Sequence, residues 1–207
     1  RMRIQALSQQ MSRGNDLDRD QRKWLVSIQA NYKLSDLVQK YSAAFFDAIL
    51  ARVDVLPPSM MLAQSAEESG WGTSRFAHEG NALFGQRVWN SPHGMKPMKR
   101  QRGEKFLVRS FNNLIDSVWA YAFNLNTHHA YADFRAARRK LRLLGIGVSG
   151  LKLVGNLESY SEKGQGYVRT IENIIRLNQL EQFDRAKLLR SKNVLRPSRS
   201  GARPIRY

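Results

Sequence analysis

The stretch AQSAEESGWGTSRF, residues 63–76, sets two adjacent carboxylates, Glu67 and Glu68, at the end of an apolar helical run and follows them with Ser69, Gly70, Trp71 and Gly72. Glycine just past the last helical residue is a strong stop, because it enters the left-handed conformation without a Cβ penalty. The carboxylates therefore stand at the negative end of a helix dipole, where acidic residues are disfavoured by about 0.3–1 kcal/mol. Such a placement calls for a chemical reason. Burial beside a large ring such as Trp71 would disfavour the charged form a second time, and a glutamic acid still protonated near neutral pH is the proton donor that glycoside hydrolysis needs. The plain alternative is a solvated pair of helix-end glutamates. Successive helix residues point about 100° apart, so the two carboxylates face different ways, and periodicity does not choose between them.

Upstream of this stretch, Pro57 and Pro58 break the chain and Ser59 is the expected cap of the helix that stops at Gly70, with Leu62 and Ala66 on one face. Residues 16–31 and 35–52 carry apolar residues at helical spacing, among them Leu37, Tyr41, Phe45, Ala48 and Ile49, with Ser35 as N-cap of the second run. From Gly80 to Phe111 the pattern changes. Gly85, Asn90, Pro92, Gly94, Pro97 and Gly103 punctuate short runs such as FLVRSF (106–111), which predicts a β-hairpin or irregular lobe. Helical periodicity returns over 113–126, 130–144 and 164–180, the last with Val168, Ile171, Ile174, Ile175 and Leu180 along its buried side. No internal repeat interrupts this order. The expected fold class is α+β, a mostly helical lysozyme-like domain with a small β-hairpin lobe. The expected division is a helical arm over 1–19, the domain over 20–185 and a basic tail over 186–207. Residues 185–207 hold eight Lys or Arg and no Asp or Glu.

A chain of 207 residues is long enough for one domain with a full core. With 34 Lys and Arg against 17 Asp and Glu, its formal charge of +17 favours polyanionic partners: nucleic acid, an anionic membrane surface or an acidic cell-wall polymer. Charge alone does not choose among them. The lack of cysteine excludes disulfides, thiol nucleophiles and thiolate metal sites. His78, His93, His128 and His129 show no metal-ligand spacing of the H-E-x-x-H kind, and neither a phosphate-binding glycine loop nor a serine nucleophile motif is present. No metal and no cofactor are expected. No apolar run approaches the roughly 20 residues that span a bilayer, and no signal-peptide pattern opens the sequence, so a soluble chain is expected, with any leader already removed.

The segment LAQSAEESGWGTSRFAHEGNALFGQ (62–86) resembles the signature of glycoside hydrolase family 73, the glucosaminidase domain of bacterial autolysins and flagellar peptidoglycan hydrolases, which reads A-x-x-E-S-G-W-G followed by N-x-L-F-G. Within that family the bacterial Bax branch is the most similar. RVDVLPPSMMLAQ upstream, and NLNTHHAYADFR and YSEKGQGYVRTIENIIRLNQL downstream, extend the resemblance over roughly residues 20–185 in order. It implies that Glu68 is the general acid. Glu67 stands where the family usually has an apolar residue; it is read as a solvated neighbour or a pKa modulator, and as the fallback acid. The family resembles other lysozyme-like enzymes in drawing a second acidic group from the β-lobe, and Glu104 is the candidate between Gly80 and Phe111. A surface ion pair among Lys99, Arg100, Arg102 and Lys105 is the plain reading of Glu104. Tyr167 matches a late tyrosine of the family placed near the reacting sugar, with Tyr160 as its rival. Asn81, Phe84, Gln86 and Trp89 are expected to line the cleft, and Trp71 to wall the acid's pocket; Asn81 and Phe84 serve equally as turn residues.

These features imply an endo-β-N-acetylglucosaminidase acting on peptidoglycan strands in the periplasm or cell envelope, held near anionic wall polymer by its charge, and monomeric. Two other readings compete. One is a wall-glycan-binding module that keeps the cleft without cutting. The other is a basic nucleic-acid binder, for which +17 gives non-specific attraction but no specific reading.

Overall fold

Helices begin where a side chain takes up the free N–H groups of a first turn, and among the described residues four α-helices do so within their own sequence. The computed structural model describes residues 1–34, 39–89, 91–98 and 103–187. Helix α1 (Met2–Ser12) is followed by α2 (Arg19–Asn31), which Asp18 and Gln21 close in a reciprocal capping box. Helix α3 spans Ala43–Arg52 and is capped by Ser42, whose Oγ accepts from Phe45 N at 3.2 Å. The run expected from residue 35 is therefore shorter. Tyr41 has φ 66° and lies ahead of the helix, while Ser35 and Leu37 fall outside the described residues.

Helix α4 (Pro58–Ser69) carries the quoted stretch, and its N-cap, Pro57, has no side chain to offer. The cap comes from the far end of the fold. Asp184 Oδ1 accepts from Ser59 N at 2.9 Å, and its Oδ2 accepts from Ser59 Oγ at 2.8 Å and from Gly150 N at 2.9 Å. Ser59, expected as the cap, is a helical residue whose hydroxyl donates instead. The core face of α4 is likewise Met60, Ala63 and Gln64, with Leu62 exposed, because the helix packs on its neighbours along that side. At the other end Gly70 adopts φ 58°, as its position predicts, and Trp71 and Gly72 continue left-handed at 57° and 78°. For a non-glycine residue such as Trp71 this costs about 1–2 kcal/mol. The turn is held by Trp71 N donating to Ala66 O at 2.7 Å and Gly72 N donating to Ser69 Oγ at 2.8 Å.

After α5 (Arg75–Gly80), the described residues of the lobe form three short strands: β1 (Arg87–Val88), β2 (Gly94–Met95) and β3 (Leu107–Arg109). Their order is β1-β3-β2, both pairings antiparallel, with Val108 opposite Arg87 on one side and Met95 on the other. The lobe is thus a three-stranded sheet with its last strand central, where a hairpin is the simplest expectation. The chain returns to helix in α6 (Leu114–Thr127), capped by Asn113, then α7 (Ala132–Leu143), α8 (Gly150–Leu153) and α9 (Gln165–Leu177), with 3-10 turns at His129–Tyr131, Glu158–Tyr160 and Leu180–Arg185. The result is a mostly helical α+β domain of lysozyme-like organisation.

Two apolar clusters fill the interior. One joins α1, α2 and α3 through Ile4, Leu7, Leu25, Phe45 and Ile49; the other gathers Met60, Leu125, Phe134, Leu153 and Ile171 around α4. Segment 1–19 is packed into the first cluster through Ile4, Leu7 and Leu17. Charge ties the two clusters together. Asp54, in the link from α3 to α4, meets Arg142 Nη2 at 2.9 Å and Arg1 Nη1 at 3.1 Å. Fully buried Arg138 spans α3, α6 and α7, donating to Ala51 O at 2.9 Å and Asn126 Oδ1 at 2.8 Å. Burial lowers its pKa to about 10 against the support of Asp54, so it stays charged at neutral pH. Among the described residues no helix is long and apolar enough to cross a membrane.

Candidate active site

Gln64 and Glu68 lie four residues apart, on one face of α4. Gln64 is wholly buried, and Glu68, half-buried, reaches a cavity of about 520 Å³, within the range of about 300–1,000 Å³ usual for small-ligand sites. The α5–β1 segment supplies Phe84, Gly85, Gln86 and Arg87 to its lining. Opposite come Asn124 of α6, Tyr131, and Ser159 to Lys163. Rings lie on rings here: Phe84 stacks on Tyr121 with centroids 3.9 Å apart, and Tyr160 on Tyr167 at 5.4 Å. The acid thus sits among aromatic faces, with amides and hydroxyls beside them.

That environment decides the state of Glu68. Burial raises its pKa; a hydrogen bond from Tyr167 opposes the rise, the Glu67 charge adds to it, and Lys163 opposes it again. Lys163 Nζ is 3.5 Å from Glu67 Oε1, so the nearby cation is shared with the neighbour. Tyr167 is buried, and burial followed by the Glu68 charge pushes its own ionisation far up, so it remains a donor. Its oxygen accepts from Gln64 Nε2 at 2.9 Å, and Tyr121 Oη donates to Gln64 Oε1. A carboxyl in such a site holds its proton to higher pH than a solvated glutamate, which suits it to proton donation.

The residues expected from the sequence divide. Glu68, Phe84, Gln86 and Tyr160 line the cavity, and Tyr167 stands directly behind Glu68. Gln86 Oε1 is buried with no hydrogen-bond partner among the described residues, an acceptor left unused beside the cavity. Asn81 instead ends α5 at φ 49° and donates to Phe111 O at 3.0 Å, fastening the entrance to the lobe. Trp71 and Trp89 are 63% and 65% exposed and do not contribute to the cavity lining. Nor does Glu104, which lies ahead of β3. The second carboxyl of the lining is Glu162, 3.9 Å from Arg87. Gln64, Tyr121, Tyr131, Asn124 and Lys163 are not singled out by sequence reasoning. For Gln64 a signal exists, a polar side chain on the apolar face one turn before Glu68. For Tyr131 and Asn124, on segments far from the quoted stretch, there is none. Among the described residues no group of three or more acidic or histidine side chains could hold a metal ion.

Fold and cavity together define a lysozyme-like domain with a carboxyl group opening on an aromatic-lined cleft. The chain belongs to the glucosaminidase family, whose model, described as mannosyl-glycoprotein endo-beta-N-acetylglucosaminidase, matches residues 43–180. It is 33% identical over 168 residues to Protein bax of Escherichia coli (strain K12), covering 71% of this chain and 58% of that protein. No solved structure matches.

Proposed function

We propose that this protein is a peptidoglycan hydrolase, an endo-β-N-acetylglucosaminidase that cleaves the β-1,4 bond after N-acetylglucosamine, with Glu68 as general acid. The observation that carries the reading is a half-buried carboxyl, its pKa raised by burial, opening on an aromatic and amide-lined cavity large enough for a sugar. In the reaction Glu68 gives its proton to the glycosidic oxygen as the bond to the anomeric carbon breaks, and that carbon is taken up by water, either directly or after attack by the substrate's own acetamido oxygen. Tyr167 steadies the carboxylate that remains. Phe84 and Tyr160 offer apolar faces to the ring, and the unpaired Oε1 of Gln86 accepts from a hydroxyl or the acetamido N–H. The net charge of +17 favours association with anionic wall polymer, and the family match supports work outside the cytoplasm.

The test is mass spectrometry of muropeptides released from purified sacculi. The wild type is expected to leave new reducing ends on N-acetylglucosamine, and Glu68→Gln to slow their release by about 10²–10⁴-fold. No release by either protein would overturn the assignment in favour of a glycan-binding module, and equal release by both would remove Glu68 from the role of general acid. Reducing ends on muramic acid would replace the bond named here.

A further inference from the structure

Gln64 is buried between two phenols and performs no chemistry of its own. Tyr121 Oη donates to its Oε1, its Nε2 donates to Tyr167 Oη at 2.9 Å, and Tyr167 hydrogen-bonds Glu68. Tyr121 is itself shut off from solvent, and among the described residues Gln64 Oε1 is its acceptor. Turning the amide over would set an N–H against that phenol and strand its hydrogen in the core, an arrangement buried hydroxyls resist. With the amide held this way, the Tyr167 oxygen receives an N–H and its single hydrogen goes to Glu68. We infer that Gln64 and Tyr121 are positioning residues: a hydrogen-bond relay from Tyr121 through Gln64 to Tyr167 that fixes the direction of the Tyr167 hydrogen and thereby the side of Glu68 on which the acid proton sits. The inference rests on Glu68 being the proton donor proposed above.

The chemical consequence follows from counting hydrogens. A carboxyl oxygen that already accepts from Tyr167 is a poor seat for the acid proton, so the proton occupies the other oxygen. A Cβ placed on Gly85, in the cavity lining, would come within 3.5 Å of Glu68 Oε2, so one carboxyl oxygen does face that way. When the Glu68 O–H bond breaks, the proton passes to the glycosidic oxygen, which leaves the anomeric carbon with the bonding pair. Glu68 becomes a carboxylate, and the Tyr167 hydrogen bond, already aimed, strengthens with the new charge. The other charged or titratable groups around it are Glu67, Lys163, Tyr131, Tyr160, Arg87 and Glu162. All six stay intact in the variants that test the relay.

The experiment is a ¹³C NMR titration of the full chain labelled at glutamate carboxyls, with the Glu68 signal identified by its loss in Glu68→Gln. Tyr121→Phe removes one hydroxyl and frees the amide to turn, so that Tyr167 donates to Gln64 Oε1 and no longer to Glu68. The Glu68 titration then moves up by about one pH unit, a tenfold change in its ionisation constant, and the high-pH limb of kcat/KM moves with it. Adding Gln64→Met to Tyr121→Phe takes the amide away, leaves Glu68 as the acceptor of Tyr167 and brings the titration back towards the wild-type position. A purely structural role predicts the opposite order, with the double variant departing further than the single one. The relay is overturned by that order, or by a Tyr121→Phe titration that coincides with wild type. Where the double variant fails to fold, the single variant decides. Because the titration needs no substrate, a wild type that cuts no glycan would remove the proposed function while leaving the relay tested on its own.

Discussion

Two carboxyl groups mark the two ends of α4, Asp54 in the link ahead of it and Glu68 in its last turn, and the protein treats them in opposite ways. Asp54 is given cations: Arg1, Arg138 and Arg142 all reach it, and the cluster is closed by backbone carbonyls. Glu68 has no ion pair among the described residues, and the Lys163 charge reaches it only as a weaker influence than its burial. In a chain with 34 Lys and Arg, the two basic residues of its cavity, Arg87 and Lys163, lie against other acids, Glu162 and Glu67. What Glu68 receives is a phenol, which steadies a carboxylate without fixing it as one. A buried charge surrounded by opposite charge is a joint, whereas a buried acid left with neutral donors can lose and regain its proton.

The contrast can be broken most severely at the joint. Asp54→Ala leaves Arg138 in the interior without its counter-charge and is expected to cost about 3–5 kcal/mol in urea unfolding. The Glu68 titration of the chain that remains folded should not move; if it does, the two sites are coupled and the comparison fails. A smaller effect sharpens the other side. Glu67→Gln removes a like charge and should shift the high-pH limb of kcat/KM downward, while Lys163→Gln removes an opposing one and should shift it upward, both read from pH–rate profiles. Shifts in the same direction would contradict the electrostatics described here. The smallest effect is on stability. The raised pKa of Glu68 means that its contribution is fully present below the ordinary carboxyl value of 4.5 and is lost as pH rises through the folded value. Glu68→Gln should therefore match wild type in acid and exceed it in Tm by a margin that grows across that window, as followed by calorimetry at stepped pH.

Much of this arrangement is legible in the sequence, and the reasons for the rest are physical. Gly70 marks the end of α4 because no other residue enters a left-handed cap so freely. The buried side of α9 shows in Val168, Ile171 and Ile175, since a helix repeats every 3.6 residues wherever it packs. Strands of two residues carry no such rhythm, so the central place of β3 is invisible until distant pairings close. Arg135 and Arg138 look like part of a solvated basic face in FRAARRKLR, yet both are buried, because carbonyls from other elements converge on them. Within the candidate site, the motifs single out Glu68, which lines the cavity, and Tyr167, which lies beside Glu68 but outside the lining. Trp71 is expected to wall the acid because it is adjacent in sequence. The left-handed turn carries its side chain outward, and Phe84, Tyr131 and Tyr160 line the cavity from other segments.

The hold of Asp184 on Ser59 and Gly150 has a bearing on synthesis. The helix that presents the acid is fastened at its start by a residue 125 positions later, beyond the last residue matched by the family model. A growing or clipped chain that ends short of that aspartate therefore carries the candidate site residues named above but lacks the clasp on the start of α4. The start of that helix is seated only once residue 184 is present to hold it.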